Sequence, residues 1–115
     1  MKTGFGFIEI DGITYDHDVV IHTDGSVSKR KKKKSKELKG DYGHTPLSEY
    51  ELDILGEEKP AVVYIGTGQY GSLPITNKAT GILRTYSAVI APTPDIIPAL
   101  ADENRHYVAI LHITC

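Results

Sequence analysis

The stretch that decides the fold is Ala61–Ile65, with the sequence AVVYI, which is apolar at every position. An unbroken apolar run of this length is typical of a β-strand that is covered on both faces, as in a parallel sheet between two layers. A glycine-rich loop, residues 66–71, follows it directly. The run therefore predicts a central strand of an α/β domain.

Helices and strands alternate after this run. We expect a helix at residues 76–86, a second buried strand at 88–91, a helix that Asp95 caps and that ends near Asn104, and a last strand at 107–114. The first crossover in this order is expected to be right-handed and to join two parallel strands. The order predicts a βαβ architecture.

The first 30 residues have a different pattern. Aromatic and β-branched residues at 5–10, 13–15, 18–23 and 26–30 predict four strands of an antiparallel meander. Two Asp-Gly pairs stand between successive strands, and this dipeptide favours tight hairpin turns.

A turn-rich linker is expected at residues 41–45, and a short helix is expected to begin at the N-cap Ser48 and to end at Gly56. The predicted fold class is α/β. We expect one domain over residues 1–115, with a mixed central β-sheet, an N-terminal antiparallel meander and flanking helices.

Composition excludes several classes of protein. The chain has 115 residues, of which 40% are hydrophobic and 24% are charged, an ordinary globular balance. No apolar run approaches the roughly 20 residues that a membrane span requires, and the N-terminus carries no signal-peptide core. A single cysteine, Cys115, excludes an internal disulfide and favours a reducing, cytoplasmic location.

The charges are grouped along the chain. Residues 29–39 hold eight of the 13 basic residues and one acid, whereas the remaining chain holds five basic and 14 acidic residues. One interpretation is an exposed anion-binding surface, formed by Arg30, Lys31, Lys32, Lys33, Lys34 and Lys36. The other is a solvated edge strand whose lysines prevent edge-to-edge pairing. The second is preferred, because no aromatic side chain is interleaved for base stacking; nucleic acid is not an expected partner.

Several separate motifs occur together in this chain. They are Asp18-Val19-Val20-Ile21-His22, Asp24-Gly25-Ser26-Val27, the basic stretch with Arg30, Ser35 and Lys36, Gly66-Thr67-Gly68, Pro92-Thr93-Pro94 and Leu111-His112-Ile113-Thr114-Cys115. With this set, nearly the whole chain resembles the MTH-like domain family, which includes an adipogenesis-associated animal protein and a mitochondrial assembly factor for respiratory complex I. The resemblance implies a three-layer fold around a mixed sheet. It implies no particular reaction, and the assembly factor suggests protein binding.

The loop Gly66-Thr67-Gly68-Gln69-Tyr70-Gly71 matches the G-x-G-x-x-G pattern of dinucleotide-binding folds. Such folds also require a helix that begins within the motif and an acidic residue about 20 positions later, and both are absent here. Nucleotide binding is therefore disfavoured. Loops after parallel strands meet at one sheet edge, so this loop is expected to line a binding cleft with Thr93 and Asp95. The structural alternative is that its glycines close a tight turn and that the two loops pack on each other.

Histidine and cysteine residues show no spacing that is typical of a metal or catalytic site. The histidines are His17, His22, His44, His106 and His112, and they are interpreted as surface or hydrogen-bonded residues. No His-x-x-x-His or Cys-x-x-Cys pair exists, so no metal site is expected. A dyad of His112 with Cys115 is disfavoured, because residues three apart on a strand point to opposite faces. No cofactor and no catalytic residue are predicted.

These observations favour a non-catalytic binding, assembly or adaptor domain in the cytoplasm, with a protein as its expected partner. One alternative is a small-ligand-binding protein or an enzyme that uses the cleft at residues 66–71. An enzyme would need a titratable group there with an oriented partner, whereas the loop offers only Gln69 and Tyr70. The further alternative is polyanion binding through residues 29–39.

Overall fold

Three short strands form an antiparallel sheet at the start of the chain. The computed structural model describes residues 1–38 and 45–115. The three strands are β1 (Lys2–Gly4), β2 (Phe7–Ile10) and β3 (Ile13–Tyr15), in the order β1-β2-β3. Residues 41–44 of the predicted linker, which include His44, lie outside the described residues.

A five-stranded mixed sheet occupies the middle of the fold. Its strands are β4 (Val19–Ile21), β5 (Val27–Lys29), β6 (Val62–Thr67), β7 (Ala88–Ala91) and β8 (Tyr107–His112). Their order is β5-β4-β8-β6-β7; β6 runs parallel to both β7 and β8, and β4 runs antiparallel to β5 and β8. The predicted α/β class is confirmed. The expected four-stranded meander is corrected, because the β4–β5 hairpin joins the central sheet.

The helices are short. The α-helices are α1 (Asp53–Glu58), α2 (Asn77–Leu83) and α3 (Thr93–Ala101), and the 3-10 helices are Lys32–Leu38 and Glu49–Glu51. The helix that was expected to begin at Ser48 is thus a 3-10 turn followed by α1. The third helix begins at Thr93, so Asp95 lies in its first turn and does not cap it. No helix among the described residues is long and apolar enough to cross a membrane.

The central sheet is covered on both faces, which explains the apolar run of β6. Alternate residues of a strand point to opposite faces. One face packs against the small sheet and α3; its strand residues include Val62, Tyr64, Ala109 and Leu111. The other face packs against α1 and α2; its strand residues include Val20, Val63, Ile65, Val108 and Ile110.

Strand β7 departs from the prediction of a buried strand. Val89 and Ile90 are 40% and 45% exposed. The reason is topological: β7 is the outermost strand and has a neighbour, β6, on one side only. An apolar sequence therefore does not by itself distinguish an edge strand from a central one.

Replacing Ile110 with alanine should lower the free energy of unfolding by about 2–5 kcal/mol. Ile110 is 1% exposed and lies in the core between the central sheet and helices α1 and α2. Urea denaturation measures the effect, and Val89→Ala on the exposed edge is the matched control, with an expected loss below about 1 kcal/mol. Equal losses for the two variants would place β8 at the surface and contradict the fold.

Candidate functional site

Strand β4 presents a polar side chain at each end of one face. Asp18 and His22 directly precede and follow β4, and they alternate with Val20, so the three residues share the face that α1 and α2 cover. Val20 lies in the apolar core of that face. Asp18 and His22, at the two ends, each hold one carboxylate–imidazole pair. This face therefore has an apolar residue in its middle and a carboxylate–imidazole pair at each end.

At the first end, Asp18 is 3% exposed and binds three groups. Its Oδ2 lies 2.8 Å from Nδ1 of His112 and accepts a hydrogen bond from Nη1 of Arg30 at 3.0 Å, while Oδ1 accepts the Ile113 N–H at 2.9 Å. Burial raises the pKa of Asp18, but the His112 and Ile113 hydrogen bonds and the Lys32 charge outweigh it. The pKa lies well below its ordinary value, so Asp18 is ionised.

Arg30 lies beneath the basic residues and not among them. It is 3% exposed, and its Nε and Nη2 donate to the two carboxylate oxygens of Glu51 at 2.7 and 2.9 Å. Nη2 also donates to the carbonyl of Pro46, and Ser35 donates to Glu51 at 2.5 Å. This corrects the prediction that Arg30 belongs to the anion-binding surface, because its charge is neutralised in the interior.

At the second end, His22 joins a hydroxyl to a carboxylate. Nε2 of His22 lies 2.7 Å from Oγ of Ser28, and Nδ1 lies 2.5 Å from Oε2 of Glu58. The other carboxylate oxygen, Oε1, accepts the Thr23 N–H at 2.8 Å. We call Ser28, His22 and Glu58 the His22 triad.

The protonation state of the His22 triad follows from its carboxylate. Burial raises the pKa of Glu58, but hydrogen bonds from the Thr23 N–H and the His22 ring outweigh it and lower the pKa below the ordinary value. An ionised carboxylate only accepts hydrogen bonds, so Nδ1 of His22 carries a proton. In the neutral ring Nε2 is then free to accept the proton of the Ser28 hydroxyl.

A cavity of about 250 Å³ opens beside the His22 triad. Its apolar lining residues are Val20, Ile54 and Ile110, and its polar lining includes His22, Ser28, Glu51 and Asp53. Lysine side chains from β5 and from the following 3-10 helix also line it, namely Lys29, Lys31 and Lys34. We call this cavity the basic groove.

The lysines form a compact exposed surface. Lys32–Leu38 is a 3-10 helix, not a continuation of β5 as the edge-strand interpretation required. Lys29, Lys31, Lys32, Lys33, Lys34 and Lys36 are exposed. Nζ of Lys34 donates to Asp53 at 2.7 Å, and Nζ of Lys32 lies 3.6 Å from Asp18. We call residues 29–36 the basic segment; Lys39 of the predicted run lies outside the described residues.

The loop of Gly66, Thr67, Gly68, Gln69, Tyr70 and Gly71 lies against the end of the chain. The N–H groups of Gln69 and Tyr70 donate to the carbonyls of Thr114 and Cys115, at 2.6 and 3.1 Å. The N–H of Gly68 donates to the hydroxyl of Thr93 at 3.0 Å. These N–H groups are therefore engaged within the chain, and ligand binding by the loop stays a prediction.

The second predicted loop meets the first directly. The Thr93 N–H donates to the carbonyl of Gly68 at 2.9 Å, and the Thr93 hydroxyl, which is buried, donates to the carbonyl of His112 at 2.6 Å. Asp95 is exposed. The two loops thus share one edge of the sheet, where their backbones are in contact.

Both ring nitrogens of His112 contact groups other than the thiol of Cys115. Nδ1 of its ring lies against Asp18, and Nε2 lies 3.2 Å from the hydroxyl of Thr114. Cys115 is a free, partly buried thiol at the end of the chain. Within residues 1–38 and 45–115, no group of three or more His, Cys, Asp and Glu side chains is arranged to hold a metal ion.

Sequence reasoning missed the His22 triad, although part of it is visible in the sequence. The Asp24-Gly25 turn fixes the register of the hairpin, in which Ser28 pairs with Val20. His22 and Ser28 are therefore diagonal neighbours on one face. Glu58 comes from α1, 36 residues after His22, and no local spacing predicts it.

Comparison with known proteins identifies relatives among solved structures. No protein-family model and no curated protein matches the chain. The crystal structure of the conserved hypothetical protein PH1505 from Pyrococcus horikoshii OT3 is 29% identical, with a TM-score of 0.86 over 100% of this chain and 98% of that chain. A structure named MT938 is 31% identical, with a TM-score of 0.77 over 100% of this chain and 96% of its own.

The chain belongs to the same family as MT938. The match to MT938 covers the whole chain, so it includes the elements that carry the basic groove and the His22 triad. The NMR structure of XCC1710 from Xanthomonas campestris is 14% identical, with a TM-score of 0.69 over 98% of this chain and 82% of that chain, and it shows the same fold. The names of these three proteins state no reaction and no partner.

Proposed function

We propose that the protein is a binding domain of the MTH-like family, that it acts in the cytoplasm, and that the basic segment is its recognition surface. The observation that carries the proposal is the placement of the exposed lysines over the buried Arg30. The full-length likeness to PH1505 and MT938 supports the family assignment. The expected partner is an acidic segment of another protein, in line with the assembly role that the resemblance suggests.

The charge distribution supports an acidic partner. Exposed like charges that stand close together on a short helix repel one another, and a complementary partner relieves this repulsion. Arg30 anchors the segment from below through Asp18 and Glu51, so the lysines are presented on an ordered base. Order before binding reduces the entropy that association costs.

Changing Lys31, Lys32, Lys33 and Lys36 together to glutamine should weaken binding of a fluorescein-labelled oligoglutamate peptide by about 4-fold to 900-fold, since each exposed ion pair contributes about 0.2–1 kcal/mol. The dependence of the affinity on salt should also become shallower. Fluorescence anisotropy measures both quantities. The control variant changes Lys2 and Lys78, which are exposed elsewhere on the chain.

Equal affinities and equal salt slopes for the two variants would contradict the proposal. A single-stranded oligonucleotide of the same charge is the second probe. Tighter binding of the oligonucleotide than of the peptide would contradict an acidic protein partner and favour nucleic acid.

A second proposal is small-ligand binding at the loop of residues 66–71, with Thr93 and Asp95 beside it. One observation favours it: Tyr70 is 75% exposed, and its ring centroid lies 6.1 Å from that of Phe5, which is 58% exposed. An exposed aromatic pair is a contact surface of the kind found in binding sites. Contact here would use these side chains, since the loop N–H groups are engaged.

A further inference from the structure

The His22 triad has the arrangement of an activated nucleophile. In a serine hydrolase the hydroxyl bonds one ring nitrogen of a histidine, and a carboxylate bonds the other and holds the ring. The distances here are 2.7 Å from Ser28 to His22 and 2.5 Å from His22 to Glu58. Both distances are within the range of a hydrogen bond. Ser28 lies in β5, His22 directly follows β4, and Glu58 lies in α1, so the fold itself assembles them.

Two further observations support a catalytic role for the His22 triad. Oε1 of Glu58 also accepts the hydroxyl of Thr23, at 3.1 Å, so backbone and side chain together fix the carboxylate. His22 and Ser28 both line the basic groove, so the hydroxyl is beside a space that a small molecule can enter. A purely structural hydrogen-bond chain needs neither the cavity nor the lysines around it.

We propose that Ser28, His22 and Glu58 form a catalytic triad that hydrolyses small carboxylic esters carrying a negative charge. This activity goes beyond the proposed binding of a protein partner and does not depend on it. Val20, Ile54 and Ile110 line the apolar part of the groove and would contact the acyl chain. Lys29 and Lys31 line the same groove and would attract the negative group, whereas Lys34, which also lines it, is paired with Asp53 at 2.7 Å. The volume of about 250 Å³ limits the substrate to a short chain.

The reaction needs only water as a second reactant. The Ser28 oxygen attacks the ester carbonyl carbon while its proton passes to Nε2 of His22. The bond from that carbon to the alkoxy oxygen then breaks, and the alcohol leaves with the proton from His22, so that the acyl group is bound to Ser28. Water attacks this second ester, gives a proton to His22, and releases the carboxylic acid as Ser28 recovers its proton. Glu58 is a positioning residue, because it acts through His22.

The first test is covalent labelling of the full chain with a fluorophosphonate probe, read by intact mass and peptide mapping. We expect one adduct, on Ser28, and loss of that adduct in Ser28→Ala. Ser87→Ala, at an exposed serine outside the groove, is the matched control and should label like the unchanged protein. Labelling of Ser28 no faster than in the urea-unfolded chain would overturn the proposal, and this comparison needs no variant that must fold.

The second test is hydrolysis of two p-nitrophenyl esters, one neutral (the acetate) and one anionic (the monoglutarate). We expect the lower KM for the anionic ester and a loss of about 100-fold or more in kcat/KM for His22→Gln. Glu58→Gln should lower kcat with little change in KM, and Glu58→Asp should restore part of it. Hydrolysis that survives Ser28→Ala and disappears in Cys115→Ser would assign the reaction to the thiol and overturn the proposal.

These outcomes are separate from those of the binding test. The ester assays contain no partner, so they can fail while the lysine variant still loses peptide affinity. Conversely, Ser28→Ala leaves all lysines in place, and it should bind the oligoglutamate peptide as the unchanged protein does.

Discussion

Arg30→Gln should lower the free energy of unfolding by about 3–5 kcal/mol, because it leaves buried carboxylates without their cation. The guanidinium bridges Asp18 and Glu51, whose side chains are each 3% exposed. Burial lowers the pKa of Arg30, but Glu51 and Asp18 raise it by more, so the group is charged in the folded protein. Glutamine supplies no charge and fewer hydrogen bonds, and the two carboxylates would then repel each other.

Urea denaturation at neutral pH measures this loss. Lys29→Gln is the matched control, since Lys29 is the exposed neighbour in the chain, and its expected effect is within about 0.5 kcal/mol of zero. Arg30→Lys should fall between the two, because lysine keeps the charge but cannot bond both oxygens of Glu51. Arg30→Gln that unfolds at the same urea concentration as Lys29→Gln would contradict the buried network.

Gly68→Ala should destabilise the fold by about 2–6 kcal/mol, from backbone strain of about 1–3 kcal/mol and overpacking of similar size. Gly68 has a φ of 102°, a conformation that L-residues rarely adopt. A Cβ there would lie 2.3 Å from the carbonyl carbon of Cys115 and 2.8 Å from Cδ2 of His112. The backbone of the last residue would have to move, and with it the hydrogen bonds that the loop donates to Thr114 and Cys115.

Thermal and urea denaturation test the glycine prediction. Gly56→Ala is the control: Gly56 lies in α1 with nothing within 4 Å of the added Cβ, and alanine should be neutral or stabilise by about 0.5–1 kcal/mol. A Gly68→Ala protein as stable as the Gly56→Ala protein would show that the loop is not packed against Cys115.

Elements that depend on neighbouring residues in the sequence were predicted correctly. The apolar run of β6 and the Asp11-Gly12 turn are where the sequence places them, and both residues of that turn have positive φ. Helix ends were less accurate, since α3 begins at Thr93, before the expected cap Asp95. Strand β7 has the same composition as a central strand, and its exposure follows from strand order, which no short window of sequence contains.

The candidate site was less predictable, because distant residues determine it. Arg30 is one of a row of similar cations in the sequence, and its burial depends on Asp18 and Glu51, 12 and 21 residues away. Sequence alone therefore assigned it to the exposed surface. His22 and Ser28 share a hairpin, so their proximity follows from strand register, whereas Glu58 is brought to them only by the packing of α1.

Recognition at the basic segment is the function proposed for this protein. The most direct measurement is a titration of the ¹⁵N-labelled protein with the oligoglutamate peptide, followed by two-dimensional NMR. We expect the largest amide shift changes in residues 29–36 and in the groove lining at His22 and Asp53. Changes that are confined to residues 66–71 and 92–95, with the basic segment unperturbed, would contradict the claim and place recognition at the loop.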